Sequence, residues 1–153
     1  MEPQGVILHG SRSGQLLSVA QEFEGTVSWA QQGAPFTNPD GSVDELGWNV
    51  TIGDNIVANH IDCKHWGWSA RKWSYIYLAG EFAQAHEFDP IADASVDAFV
   101  WWFLNVARKA WPNIPAYFPT HAELDRQLAS PDGKTDCFSD GTAIRARIMA
   151  RLA

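Results

Sequence analysis

Apolar and polar positions change period several times along this chain, and each change marks an element. Val6-Ile7-Leu8 is a short apolar run ending at His9, and Gly10-Ser11-Arg12-Ser13-Gly14 follows. That is the pattern of a buried strand delivering a side chain into a loop, with His9 at the strand's end. Between Gln15 and Gln32, residues Leu16, Leu17, Val19, Ala20 and Phe23 fall at mixed helical spacing, which predicts a helix over the first half of the stretch. From Gly33 to Leu46 the cluster Pro35, Asn38-Pro39-Asp40-Gly41 and Asp44 is turn chemistry and predicts a surface loop bordering a groove.

Trp48, Val50 and Ile52 alternate with Asn49 and Thr51, and Gly53-Asp54-Asn55 then turns the chain into Ile56-Val57-Ala58. This is a β-hairpin signature, and a second strand pattern covers Tyr75 to Phe82. Asp93 to Ala110 is the clearest helix, with Asp93 as its expected N-cap. Val96, Phe99, Val100, Phe103, Val106, Ala107 and Ala110 form its apolar stripe, and Pro112 ends it. After a loop carrying Pro115, Pro119 and Pro131, Thr142 is placed to cap a last helix with Ile144, Ile148 and Leu152 on one face. No internal repeat is visible. Interleaved strands and helices predict an α/β fold with helices on the faces of a sheet.

Composition narrows the possibilities. A chain of 153 residues with 46 % apolar positions is expected to form one domain with an ordinary core. A net charge of −7 and a pI near 5.0 argue against nucleic acid, which needs clustered Lys and Arg. Arg145, Arg147 and Arg151 are the local exception, read as a solvated helix face. Only Cys63 and Cys137 occur, which points to a reducing compartment while leaving a single bridge open. The start Met1-Glu2-Pro3-Gln4 lacks a basic and apolar leader pattern, and the longest apolar run, Ala98 to Leu104, is far short of the roughly 20 residues a bilayer needs. Synthesis in the cytoplasm without a signal peptide and without membrane insertion is therefore expected.

Of the five histidines, His9 ends the first strand and His121 lies in Pro119-Thr120-His121-Ala122-Glu123-Leu124. Gly133-Lys134-Thr135-Asp136 follows in a turn-like segment. Two imidazoles and a carboxylate are enough for a three-ligand zinc site with an open fourth position, where the metal lowers the pKa of bound water from 15.7 to about 7. Such sets arise easily by chance, so spacing alone does not select this one. Glu81 interrupts an apolar strand and must be paired, exposed at a strand end, or acting as a general base. Cys63 with His60 or His65 would suit a cysteine hydrolase, but no accompanying signature is present. Eight tryptophans are many for this length. Trp101 and Trp102 read mainly as helix packing, although adjacent helical positions cannot both face inward. Trp66 and Trp68, in loop-like sequence, could cover a glycan or stem peptide.

Taken in order, these segments resemble the zinc-dependent N-acetylmuramoyl-L-alanine amidases, the group shared by phage lysozyme-like amidases, anhydro-muropeptide amidases and peptidoglycan recognition proteins. The likeness runs through nearly the whole chain: Val6-Ile7-Leu8-His9, the strand pattern from Gly47 to Gly53, His65-Trp66-Gly67-Trp68-Ser69-Ala70-Arg71, Gly80-Glu81-Phe82, Thr120-His121-Ala122-Glu123-Leu124 and Gly133-Lys134-Thr135-Asp136. It implies a central mixed β-sheet flanked by helices, with His9, His121 and Asp136 binding Zn2+. It further implies that Glu81 acts as general base, that Lys134 steadies the oxyanion, and that Trp48, His65, Trp66 and Trp68 contact substrate. Many active members carry tyrosine where Trp48 stands, and an indole cannot exchange a proton at neutral pH. Cys137, next to Asp136, is an alternative third ligand because thiolate also suits zinc.

The activity implied is cleavage of the amide between N-acetylmuramic acid and L-alanine by a monomeric enzyme acting on peptidoglycan or a muropeptide. Gly80 to Gln84, Asp93 to Trp111 and Arg145 to Leu152 look most like the amidase modules of phage lysins, so release to the host wall at lysis is expected. A muropeptide-recycling amidase is a sibling reading, and a non-catalytic peptidoglycan-binding module is the rival from another class.

Overall fold

The buried run at the N-terminus becomes strand β1 (Val6–Gly10), every residue of which is buried, and it finds its neighbour far along the chain. In the computed structural model, residues 2–11, 18–33, 36–37, 43–44, 48–59, 76–85, 90–127 and 141–153 are described. The elements that follow β1 are α1 (Val19–Gly33), a two-stranded antiparallel pair β2 (Phe36–Thr37) and β3 (Val43–Asp44), and the hairpin β4 (Val50–Gly53) and β5 (Ile56–Asn59). Then come β6 (Leu78–Phe82), α2 (Asp93–Trp102), a π-helical turn over Phe103–Ala107, α3 (Arg108–Ala110), α4 (His121–Asp125) and α5 (Gly141–Leu152). The chain is mixed α/β. Four strands form one sheet in the order β1-β6-β4-β5, with β1 and β4 both parallel to β6, and β5 antiparallel to β4.

The hairpin forms as the alternation predicts, with Asp54 at a positive φ of 45° in the turn, a conformation that short polar side chains tolerate. Asn49 extends the ladder beyond β4: its backbone N–H donates to Ala79 O and its side-chain oxygen accepts from Ala79 N at 2.8 Å. Because strand side chains alternate between faces, Leu8, Val50, Ile52, Leu78 and Phe82 join the core cluster with Phe99 of α2. His9, Thr51 and Glu81 then belong to the opposite face. Phe99 contacts Phe82, Trp102 and Phe118 at ring-centroid distances of 5.4, 5.9 and 5.5 Å, and this aromatic group is the centre of the core.

Several boundaries depart from the sequence pattern. The first helix starts at Val19, covers Val19 to Phe23 of the predicted half, and continues through the second half to Gly33. Ser18 explains the start: its hydroxyl accepts from Gln21 N at 3.2 Å while Gln21 Oε1 accepts from Ser18 N at 3.1 Å, a reciprocal cap. The stretch from Gly33 to Leu46 is not all loop, because β2 and β3 pair within it. Asp93 is not the N-cap of α2. Ala92 holds that position without a side-chain cap, and Asp93 lies in the first turn as the partner of Arg147 and Arg151. Thr142 lies inside α5, which begins at Gly141. A Cβ on Gly141 would come within 2.8 Å of Thr120 Cγ2, so glycine lets α5 approach the segment that carries His121.

Among the described residues, no helix is long and apolar enough to cross a membrane.

Candidate functional site

His9 is the fourth residue of β1 and Glu81 the fourth of β6, and the parallel register sets them directly opposite one another. His9 Nδ1 lies 2.9 Å from Glu81 Oε2, and both residues are only 4 % exposed. A carboxylate can only accept, so Nδ1 carries the proton and donates. A bond from His9 to any further ligand is thereby assigned to Nε2, the arrangement in which a carboxylate fixes the ring orientation and tautomer of a metal-binding histidine.

The outer edge of β1 delivers the second imidazole. Val6 N donates to Tyr117 O at 3.0 Å, Leu8 N donates to Pro119 O at 2.8 Å, and Leu8 forms a parallel bridge with Thr120. Pro119 suits this outermost position because the N–H it lacks is not needed by a further strand. Thr120 then caps α4 with a complete capping box: its hydroxyl accepts from Glu123 N, and the Glu123 carboxylate accepts from Thr120 N. His121 is the first helical residue, buried, with its ring centroid 5.8 Å from that of His9 and the planes tilted by 44°.

Arg145 of α5 holds this cap in place. Its two terminal nitrogens bind the two Glu123 oxygens at 2.8 Å each, and one also donates to Phe118 O at 3.1 Å. Burial pushes the Glu123 carboxyl up, but hydrogen bonds from Arg145 and from Thr120 N outweigh it and leave the group below its ordinary range. Arg147 bonds Ile91 O and Asp93, and Arg151 bonds Asp93 and Asp97. The three arginines are therefore not simply a solvated face; they tie α5 to α2 and to the His121 cap.

Trp48, expected against substrate, is buried with 3 % of its surface exposed, and its indole N–H donates to Thr51 Oγ1 at 2.6 Å. That burial leaves little surface for a ligand. Lys134, Asp136, His65, Trp66 and Trp68 lie outside the described residues, as do His60, Cys63 and Cys137. Among the described residues no group of three His, Cys, Asp or Glu side chains is gathered to hold a metal.

The chain matches no protein-family model, and no curated protein or solved structure is significantly similar to it. The donor chemistry of the site therefore has to be weighed by itself. Two imidazoles bound to one tetrahedral zinc at about 2.0–2.1 Å have ring centroids about 5 Å apart. The 5.8 Å separation of His9 and His121 is of that scale, and the Glu81 contact supplies the outer partner such a ligand usually has. The described pair thus fits two of three zinc ligands. Ser18 and Thr120 caps aside, the feature missed in sequence is the Arg145–Glu123 fork, for which the only signal was a Thr-x-x-Glu capping pattern beside a histidine.

Proposed function

We propose that this chain is a zinc hydrolase of the amidase type that its motifs resemble, cleaving the N-acetylmuramoyl-L-alanine amide of peptidoglycan. The observation that carries the reading is the approach of His9 and His121, from opposite ends of the chain, beside a carboxylate that orients His9. A purely structural histidine pair needs no such convergence of β1, β6 and α4. His9 Nε2, His121 and Asp136 would hold the ion. Bound there, zinc would supply Lewis acidity, polarising the scissile carbonyl and activating water.

The residues of the chain divide the remaining work. Glu81 keeps His9 in the ligating tautomer through Oε2, and the base role that the resemblance implies would fall to its other oxygen, Oε1. Lys134, by its resemblance to the family's lysine, steadies the negative charge developing on the carbonyl oxygen. The Arg145–Glu123 fork and the Thr120 cap keep His121 in line with His9. The mixed sheet flanked by helices is the amidase-like fold in this proposal, and a phage lysin acting on the wall after release is its biological form.

Metal analysis combined with hydrolysis of purified peptidoglycan tests this, with release of new L-alanine amino termini followed with and without chelator. About one zinc per chain and chelator-sensitive release are expected. Zinc without release on either sacculi or soluble muropeptides would turn the reading to a recognition module, and a chain that binds no zinc would overturn the ligand assignment.

A further inference from the structure

A second concavity lies on the far side of the sheet. α2 presents Ala94, Asp97, Ala98 and Trp101 along one stripe, and with Asn55 and Val57 of the hairpin they line an open groove of about 530 Å³. It belongs to the α2 face, whereas His9 and Glu81 occupy the other. β5 is also three strands from β1, about 14 Å at the usual strand spacing of about 4.7–4.9 Å.

Trp101 is the unusual residue. Its neighbour Trp102 is fully buried with the indole N–H donated to Asn59 Oδ1 at 2.9 Å, yet Trp101 leaves 55 % of its surface exposed along the groove. An exposed indole beside the methyl groups of Val57, Ala94 and Ala98 is a flat apolar platform with an apolar floor. The rim is polar without being charged in effect. Asn55 brings an amide donor and acceptor, and the Asp97 carboxylate is already neutralised by Arg151 Nε at 2.5 Å. Such a site favours an uncharged occupant with one apolar face and several hydroxyls, and offers no unmatched charge to a cationic or anionic peptide.

We propose that this groove is a carbohydrate subsite, taking a pyranose ring stacked on Trp101 with its hydroxyls on Asn55 and Asp97. An N-acetylated sugar fits best, since the acetamido methyl matches the floor of Val57, Ala94 and Ala98. The choice of an N-acetylated sugar rests on the proposed peptidoglycan substrate. Because the groove and the histidine pair face opposite ways, the subsite would hold a neighbouring glycan strand and keep the enzyme on the wall between cleavages, a tether within the catalytic domain.

The test is a titration of the full chain, as purified and again after chelation, with chitotetraose as the probe and cellotetraose as the sugar lacking acetamido groups. NMR follows the Trp101 indole N–H and the Asn55 side-chain amide, with the Trp102 indole as the folding control. Saturable shifts at Trp101 and Asn55, unaffected by chelation and weaker with cellotetraose, are expected. Trp101→Ala should weaken binding roughly tenfold or more, while Trp101→Tyr keeps most of it. Equal affinity in Trp101→Ala, shifts confined to other residues, or a response of Trp101 to a Lys-rich peptide but not to sugar would overturn the subsite. Sugar binding by a chain without zinc or hydrolysis would leave the subsite standing and sink the amidase reading. Zinc-dependent cleavage without shifts would do the reverse.

Discussion

His9 and Glu81 are register partners on two parallel strands, with the ring nitrogen of one 2.9 Å from a carboxylate oxygen of the other in a buried setting. A buried carboxylate must be satisfied, and here its partner is a candidate metal ligand. Exchanging the carboxylate for groups that keep or remove the acceptor therefore separates orientation from proton transfer. Glu81→Gln retains an oxygen that accepts from Nδ1, so zinc content should persist while turnover falls by about 10²–10⁴-fold. Glu81→Ala should lose zinc affinity as well, by about 10–100-fold. Zinc titration and kinetics on both variants check this, and full activity in Glu81→Gln would leave Glu81 as an orienting residue alone.

The Arg145–Glu123 fork is two-point and mostly shielded, so it should matter more than an ordinary surface pair. Arg145→Ala should cost about 1–2 kcal/mol of stability and lower zinc affinity, because the cap under His121 loosens. Arg145→Lys restores charge without the fork and should recover only part of either. Denaturation and chelator competition measure both effects, and unchanged zinc affinity in Arg145→Ala would sever the fork from the site.

At the centre of the core, Phe99 is fully buried against three other aromatic rings. Phe99→Ala leaves a cavity that such rigid neighbours fill poorly, and should cost about 3–5 kcal/mol in urea denaturation. A loss under 1 kcal/mol would mean that the aromatic group is not the core's centre.

Asp93 has its carboxyl held below the ordinary 3.8, chiefly by hydrogen bonds from Arg147 and Arg151. A carboxyl depressed in the folded state adds stability above its unfolded pKa and loses it as pH falls through the folded value. The difference in melting temperature between the native chain and Asp93→Asn should therefore be steady at neutral pH and shrink below pH 3.8. A difference that grows toward acid would give the pairing the wrong sign.

The periodicity of residues 93 to 110 exposed the long helix, but not its π-helical turn at Phe103–Ala107. That turn carries one extra residue, and Trp102 and Phe103, adjacent in sequence at its start, are both fully buried. Periodicity cannot register such a shift when every candidate position is apolar. Similarly, mixed apolar spacing left the extent of the first helix open, whereas the Ser18-x-x-Gln21 cap marks its start at Val19. At the site, an acid in an apolar strand announced that Glu81 needed a partner. Which partner was not legible, since parallel register is a property of two distant segments. Trp48 looked like a contact residue because aromatic identity says nothing about burial, and the Thr51 hydroxyl that receives its N–H is three residues away.

The placement of β1 has a kinetic consequence. It is flanked on one side by β6, with His9 and Glu81 separated by 72 positions, and on the other by the segment ending at Thr120. Neither neighbour is local, so closing the chain around β1 carries a loop-entropy cost before any pairing offsets it. On the ribosome the first strand emerges long before either companion, with its hydrogen-bonding groups unmatched. The hairpin β4–β5 and the helix that begins at Asp93 can form from local contacts, while the histidine pair is assembled only when the two distant segments close around β1. The His9–His121 pair thus depends on the least local closures in the fold.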